Sequence, residues 1–123
     1  MGYKSDVVIV ARNEDFISLI QSAKEKCQAA YETLSDAMIR RNEKYTTSHF
    51  EDVKWCDDCE EYQFVENFLS ELPHYFIRIG GNYDDVEVRY RVDGYHDMLA
   101  CINVVRRVYT DTAGDCVDFA DIA

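Results

Sequence analysis

Apolar residues recur at steps of three and four positions across the first third of the chain. This spacing places them on one face of an α-helix. Asn13 is a suitable N-cap, and the segment ends near Arg40 and Arg41, whose charges suit a helix C-terminus. We therefore expect one long amphipathic helix over about 14–40. Its apolar stripe consists of Phe16, Leu19, Ile20, Ala23, Cys27, Ala30, Tyr31, Leu34 and Met38.

A short apolar run precedes this helix. Residues Ser5 to Ala11 contain Val7, Val8, Ile9 and Val10 in succession, so the segment is apolar on both faces. A run of this kind is typical of a central strand that is covered on both sides. It predicts the first strand of the domain.

The middle of the chain predicts a second strand and a shorter helix. Residues 42–48 form a polar connection, and a strand follows over His49 to Cys56. Asp57 or Asp58 then caps a helix that Pro73 ends. The apolar stripe of this helix is Tyr62, Val65, Phe68, Leu69 and Leu72.

A β-hairpin is predicted next, because apolar and polar residues alternate on both sides of a turn at 80–84. If Ile77 faces Val88, then Phe76 lies across from Arg89 and Arg78 from Glu87; His74 likewise faces Arg91. Residues Leu99 to Tyr109 favour a last strand, although a helical stripe also fits them. The acidic segment 111–123 is expected to be an irregular tail.

These elements, in the order β-α-β-α-β-β-β, predict one α+β domain over residues 1–123. Two helices would pack on one face of a mostly antiparallel sheet. The length of 123 residues is sufficient for a single hydrophobic core without metal or disulfide crosslinks.

The chain is strongly acidic. It has 13 lysines and arginines against 24 aspartates and glutamates, a formal net charge of −11. Hydrophobic residues still make up 47%, which excludes a disordered acidic tail. No segment is apolar and long enough to cross a membrane, and the polar start predicts no signal peptide, so we expect a cytoplasmic protein without a membrane partner.

The five cysteines predict reduced thiols, because an odd number without an export signal argues against a disulfide framework. Cys56 and Cys59 have the spacing of redox sites at a helix start, but the two aspartates between them would raise the pKa of the first thiol. The remaining cysteines and histidines are scattered, so no metal site is predicted. With no phosphate-binding glycine loop and no nucleophilic serine motif, we expect neither a cofactor nor an enzyme.

Two groups of polar residues are candidates for binding. The first is the acidic set on and around the second helix, which consists of Asp57, Asp58, Glu60, Glu61, Glu66 and Glu71. Spaced carboxylates resemble the phosphate array that nucleic-acid-binding proteins recognise. Asp111, Asp115, Asp118 and Asp121 would join this set if the tail folds back. A merely solubilising helix face explains the same pattern.

The second group is the outward side of the hairpin, where Arg78, Arg89 and Arg91 lie beside Phe76. Arginines interleaved with aromatic residues can hold an anion or stack on a base. Pairing of these arginines with neighbouring acids is the alternative interpretation.

Three stretches resemble a type of small uncharacterised bacteriophage protein. They are the opening Met-Gly-Tyr-Lys-Ser-Asp-Val-Val, the triplet Val53-Lys54-Trp55, and Phe76-Ile77-Arg78-Ile79-Gly80 with Asp84-Asp85-Val86-Glu87. The resemblance implies a phage or prophage origin, and it implies no catalytic residues and no activity.

Charge and resemblance together favour a non-enzymatic phage protein that binds and inhibits a basic, nucleic-acid-handling host protein. An anti-CRISPR or anti-restriction factor is the most concrete form of this hypothesis, and it involves no direct contact with nucleic acid. The alternative is a small-molecule binder that sequesters a nucleotide signal on the arginine-lined sheet face. A third interpretation is an accessory protein that self-associates through an exposed strand edge, for example as a homodimer.

Overall fold

Six strands form one antiparallel sheet, in which the order of neighbouring strands is Val86–Arg91, His74–Ile79, Ser5–Arg12, Tyr45–Val53, Met38–Arg41 and Asp115–Val117. This computed structural model describes residues 4–56, 58–80, 85–92, 94–104, 108–110 and 113–122. The strands are β1 (Ser5–Arg12), β2 (Met38–Arg41), β3 (Tyr45–Val53), β4 (His74–Ile79), β5 (Val86–Arg91), β6 (Asn103–Val104), β7 (Val108–Tyr109) and β8 (Asp115–Val117). The helices are α1 (Asn13–Lys26), α2 (Gln28–Asp36), α3 (Glu60–Leu69), α4 (Phe119–Ile122) and a 3₁₀ helix (His96–Cys101). The predicted α+β fold with a mostly antiparallel sheet is confirmed.

The central strand β1 is covered on both faces, as its uninterrupted apolar run predicted. Val7 and Ile9 face a core that α1, α2 and α3 complete. Val8 and Val10 face a second core on the opposite side of the sheet. Burial on both sides of one strand fixes the sheet between two apolar layers.

The helix predicted over 14–40 is instead two helices and a strand. Cys27 takes an extended conformation (φ −150°, ψ 91°) and separates α1 from α2. No glycine or proline stands near this break, so nothing local predicts it. Cys27 keeps two helix-type hydrogen bonds, from its N–H to the Ala23 carbonyl (2.8 Å) and from the Tyr31 N–H to its own carbonyl (3.1 Å), and α2 packs against α3. The stripe stays continuous across the break, because Ala23, Ala30 and Leu34 all enter the same core.

The strands β2 and β3 also depart from the predicted pattern. Met38, a member of the predicted helix stripe, is exposed on β2, and its neighbour Ile39 is buried instead. β3 begins at Tyr45 rather than at His49, so most of the predicted polar connection lies inside the sheet. Two of its buried hydroxyls have partners: Thr46 donates to Asn13 Oδ1 (2.8 Å), and Ser48 lies 3.4 Å from the carbonyl oxygen of Ile9. These contacts allow a polar run to occupy an interior strand.

The second core is closed by the region after the hairpin. Met98 and Cys101 of the 3₁₀ helix, together with Val92 and Ile102, cover Val8, Val10 and Ile77. The strand favoured over Leu99–Tyr109 is therefore wrong for its first part. Its second part forms β6 and β7, a separate antiparallel pair. Met98 and Ile102 are four residues apart and both are buried in the second core. Their common burial explains why a helical stripe also fits this region.

The acidic tail is ordered over Asp115–Ile122, against the expectation of an irregular segment. β8 pairs with β2, and the Phe119 ring meets the Tyr31 ring of α2 edge-on, with 5.4 Å between centroids. Val117, Phe119 and Ile122 pack on the main core, which supplies the reason for the order. Asp111 lies outside the described residues.

The hairpin and α3 follow the sequence prediction closely. Ile77 pairs with Val88, Phe76 with Arg89, Arg78 with Glu87 and His74 with Arg91, so the predicted register is confirmed. The α3 stripe residues Tyr62, Val65 and Leu69 are buried as predicted. The helix begins after Cys59, so Asp58 is not its cap, and Asp57 lies outside the described residues.

Candidate functional site: an acidic surface and an arginine–aromatic cleft

Carboxylates crowd the start of α3. Asp58 and Glu60 are exposed and Glu61 is half-buried. Acids in the first turn favour helix formation, because they interact with the positive end of the helix dipole. The Glu60 Oε1 lies 3.7 Å from the Cys27 Sγ, which links this end of α3 to the break between α1 and α2. None of the three carboxylates forms an ion pair with another residue that the structure describes.

The other two described members of the predicted acidic set point elsewhere. Glu66 accepts hydrogen bonds from Arg89 on β5 and from the Trp55 Nε1 (3.2 Å). Glu71 lies 3.6 Å from the Arg91 Nη1. Their charges are thus compensated by β5. The six predicted residues therefore divide into three outward carboxylates, two paired ones and Asp57, which is outside the described residues.

Further carboxylates missed by the sequence reasoning lie on α2. Glu32 and Asp36 are exposed there, off the apolar stripe. α2 packs against α3 on one side and, through Tyr31, against Phe119 of α4 on the other. Two further exposed carboxylates belong to this region: Asp118 directly precedes α4, and Asp121 lies on it. We call the carboxylates on α2, at the start of α3 and at α4 the acidic surface: Glu32, Asp36, Asp58, Glu60, Glu61, Asp118 and Asp121.

The hairpin arginines are paired with carboxylates of the same chain. Arg78 bonds to Asp85 (2.8 Å), which raises the pKa of Arg78 and lowers the pKa of Asp85. Arg89 lies over the Phe76 ring, 4.1 Å from its centroid, and pairs with Glu66 and Glu87. The predicted outward face is in fact the helix-facing side of the hairpin, because Phe76 is buried in the main core. The alternation of apolar and polar residues predicted the register of the hairpin correctly. Only the position of α3 decided which face of the hairpin is covered.

A cleft lies between α3 and the hairpin. Val65, Leu69 and Phe76 form its apolar part, and Arg89 and Glu66 stand together in its wall. Its volume is about 260 Å³, slightly below the range of about 300–1,000 Å³ typical of small-molecule sites. Because Glu66 neutralises Arg89, the cleft offers little net positive charge to an anion. Arg78 is engaged outside it with Asp85, Glu87 and Ser5.

The Cys56 and Cys59 sulfurs form a disulfide, so the expectation of five reduced thiols is wrong. The turn before α3 places the two Cα atoms 5.6 Å apart, a separation that suits a disulfide. Cys27, Cys101 and Cys116 are thiols. Asp58 has a carboxylate oxygen within 4.8 Å of both bonded sulfurs. Sulfurs bonded to each other are not thiolate ligands, and a structural zinc site needs about four ligands, so this group does not fit a metal site.

A second polar cluster lies on the opposite side of the sheet from α1, α2 and α3, beside the 3₁₀ helix. Asp97 accepts hydrogen bonds from the Tyr45 hydroxyl and from the Lys44 Nζ (3.0 Å). Both bonds lower the pKa of Asp97, whereas burial and the bond to Asp97 raise the pKa of Tyr45. Cys101, whose pKa burial raises, lies beside this cluster. No sequence signal connects Lys44 with Asp97, because they are far apart in the chain.

Replacing Asp97 by asparagine is expected to flatten the pH dependence of stability below about pH 4. A carboxylate whose pKa is lowered by folding stabilises the folded state, and this contribution is complete above the pKa of the unfolded state. It is lost as the pH falls through the pKa of the folded state. Urea unfolding from about pH 7 to about pH 2.5 should show a steeper loss for the wild type than for Asp97→Asn. Asp118→Asn, at an exposed carboxylate, is the control and should keep the wild-type slope. Equal slopes for Asp97→Asn and the wild type would contradict the assignment.

Comparison with protein-family models, with curated proteins and with solved structures found no match to this chain. None of the helices in the described ranges combines the length and the apolar content needed to span a bilayer.

Proposed function

We propose that this chain is a non-enzymatic binding protein whose acidic surface engages a basic, nucleic-acid-handling protein and competes with nucleic acid for it. The observation that carries the proposal is how the ion pairs are distributed. The arginines of the hairpin are compensated by Glu66, Glu71, Asp85 and Glu87. The acidic surface has no comparable compensation among the described residues, so much of the net charge of −11 is left on α2, the start of α3 and α4.

Unpaired carboxylates on adjacent elements act together on an approaching partner. Each one is solvated at little cost, and their summed field attracts a cationic surface over about one Debye length, roughly 10 Å at 0.1 M salt. Such a field mainly increases the association rate. The regular helical backbone of α2 and α3 limits how far their carboxylates can move apart, as the backbone of a nucleic acid limits the spacing of its phosphates. A partner that recognises phosphate arrays is therefore the suitable class of target.

The finer form of the proposal follows the resemblance to small phage proteins. In that form the target is a host defence protein that binds nucleic acid, and the chain acts as an anti-CRISPR or anti-restriction factor in the host cytoplasm. Blocking requires no catalytic group, which agrees with a surface built from carboxylates alone.

The test reverses the charge of the acidic surface where no core residue is affected. The triple variant Asp58→Lys, Glu60→Lys and Glu61→Lys is expected to slow association with the target at least 10-fold at about 0.1 M salt. The difference should shrink towards 1 M salt, where the Debye length is about 3 Å. Dissociation should change much less. The target is first isolated by crosslinking from bacterial lysate to the wild-type chain, and rates are then measured by stopped-flow fluorescence.

A matched control carries the same change in net charge elsewhere. Glu25, Glu43 and Glu51 are exposed and form no ion pair with another described residue. Their reversal to lysine should slow association less than the reversal at α3. The isolated target must also lose its binding to duplex DNA when the wild-type chain is added. Equal effects of the two triple variants, or a target indifferent to DNA, would contradict the proposal.

The alternative function, sequestration of a nucleotide, is favoured by one observation: Phe76 and Arg89 both line the cleft. It predicts the opposite pattern, in which reversal of the α3 acids is harmless and Arg89→Ala abolishes ligand binding. Native mass spectrometry of the protein purified from its source distinguishes the two, because a retained nucleotide supports the cleft and a retained basic protein supports the acidic surface.

A further inference from the structure

Strand β5 is an edge strand of the sheet, and one of its faces carries a row of apolar side chains. No strand in the described part of the chain pairs with its outer side. Val86, Val88 and Tyr90 are exposed by 48%, 46% and 61%. These are the three largest exposed fractions among the large hydrophobic residues that the structure describes. They lie on the face opposite the helices, because Val88 pairs with Ile77, which faces the second core. An exposed edge with apolar side chains is a template for pairing with another strand.

The backbone of this edge is also available for pairing. The Gly80 N–H donates to the Asp85 carbonyl (2.7 Å), which makes these two residues a hydrogen-bonded pair at the start of the hairpin ladder. Hydrogen-bonded and non-hydrogen-bonded pairs alternate in an antiparallel ladder. The N–H and C=O groups of Val86, Val88 and Tyr90 therefore point away from β4, towards the open edge.

The side chains of β5 are complementary to themselves. In an antiparallel pair of two β5 strands related by a two-fold axis at Val88, Glu87 of each copy faces Arg89 of the other. Asp85 then faces Arg91, and Val86 faces Tyr90. Every charge meets an opposite charge, and every apolar residue meets an apolar one, which are the favourable cross-strand pairs.

The neighbouring registers lack this complementarity. The backbone groups that point outward belong to every second residue, so in each allowed register the two-fold axis passes through a residue. The neighbouring registers therefore place the axis one residue to either side of Val88. An axis at Glu87 places two carboxylates opposite each other, and an axis at Arg89 places two guanidinium groups opposite each other. Like charges directly opposite destabilise a strand pair, so the axis at Val88 is selected.

We propose that two copies of this chain associate through their β5 edges, in the register centred on Val88, to form one continuous sheet across a homodimer. The charged side chains of the interface are already oriented within each copy. Arg89 is held by Glu66, and Glu87 by Arg78, yet both keep about 45% of their side-chain surface exposed. Preorganised side chains lose less conformational entropy on association. The dimer does not depend on the acidic surface and stands or falls separately from the proposed function.

Sedimentation equilibrium of the full chain tests the dimer. A single strand pair buries less surface than a standard interface, so we expect a dissociation constant of about 1–100 μM. Val88→Lys places two ammonium groups at the two-fold axis and should weaken the dimer at least 10-fold. Val88→Pro removes only an outward N–H, because that group is not used in the β4–β5 ladder, and should weaken it similarly. Leu99→Lys, at an exposed apolar residue of the 3₁₀ helix rather than of β5, should leave it unchanged.

A charge exchange tests the register itself. Arg89→Glu alone and Glu87→Arg alone each create like-charge pairs across the axis and should weaken association. The double variant brings opposite charges together across the axis again and should associate more tightly than either single variant. Circular dichroism of every variant checks that the fold is kept. A wild type that stays monomeric up to about 1 mM overturns the proposal. So does a dimer that survives Val88→Pro, or a double variant no stronger than the single ones.

Discussion

Replacing Ile20 by alanine is expected to lower the free energy of unfolding by about 2–5 kcal/mol. Ile20 lies on α1 with 1% of its surface exposed, inside the core that β1, α2 and α3 share. The substitution removes apolar contacts and leaves a cavity that helices on one side and a sheet on the other cannot readily fill. A domain of this size is stable by about 5–15 kcal/mol, so the loss is a large fraction of the total.

Urea unfolding of Ile20→Ala and of the wild type measures this loss. Gln21→Ala is the control, because Gln21 is the next residue on α1 and is exposed. The control should change stability by less than about 0.5 kcal/mol, as alanine is a favourable residue in a helix. An Ile20→Ala protein as stable as the control would mean that the apolar stripe faces another way.

Replacing Gly114 by alanine is expected to cost on the order of 3 kcal/mol and to detach the C-terminal segment from the sheet. Gly114 has φ +117°, a conformation that residues with a Cβ rarely adopt. An added Cβ would lie 2.3 Å from the Arg41 carbonyl oxygen. The backbone must therefore move, and β8, which begins at the next residue, would move with it.

Gly94→Ala separates the two causes. Gly94 also has a positive φ, +95°, but an added Cβ has open space around it. It should cost only the conformational strain, about 1 kcal/mol. Hydrogen exchange of β2 and β8 should accelerate in Gly114→Ala and stay unchanged in Gly94→Ala. If both variants behave alike, contact with Arg41 does not hold the segment.

The Gly114 variant also bears on the acidic surface. Asp118 and Asp121 flank Phe119, whose ring packs on Tyr31 of α2, and the pairing of β8 with β2 holds this segment in place. Detaching it would move these two carboxylates away from the α2 and α3 acids while leaving the net charge unchanged. Position, rather than total charge, is what the proposed function requires of them.

Local pattern in the sequence was sufficient wherever one residue's environment depends on near neighbours. The apolar run at Val7–Val10 predicted a central strand, and alternation on both sides of a turn predicted the hairpin and its register. The alternating charges of β5 likewise select the β5–β5 register of the proposed dimer. A side-chain period of two, or of three to four, is set by backbone geometry, so these features need no information from distant parts of the chain.

Tertiary structure alone decided the features that join distant segments. The helix predicted over 14–40 breaks at Cys27, and its second part, α2, packs on α3. The hydroxyls of Thr46 and Ser48 are interior where Asn13 and β1 supply their partners. Likewise Glu66 and Glu71 are compensated by Arg89 and Arg91, while Asp58, Glu60 and Glu61 stay outward. Which carboxylates are neutralised depends on how α3 lies across β5. Such pairings are set by the free energy of packing the whole domain, which no local spacing contains.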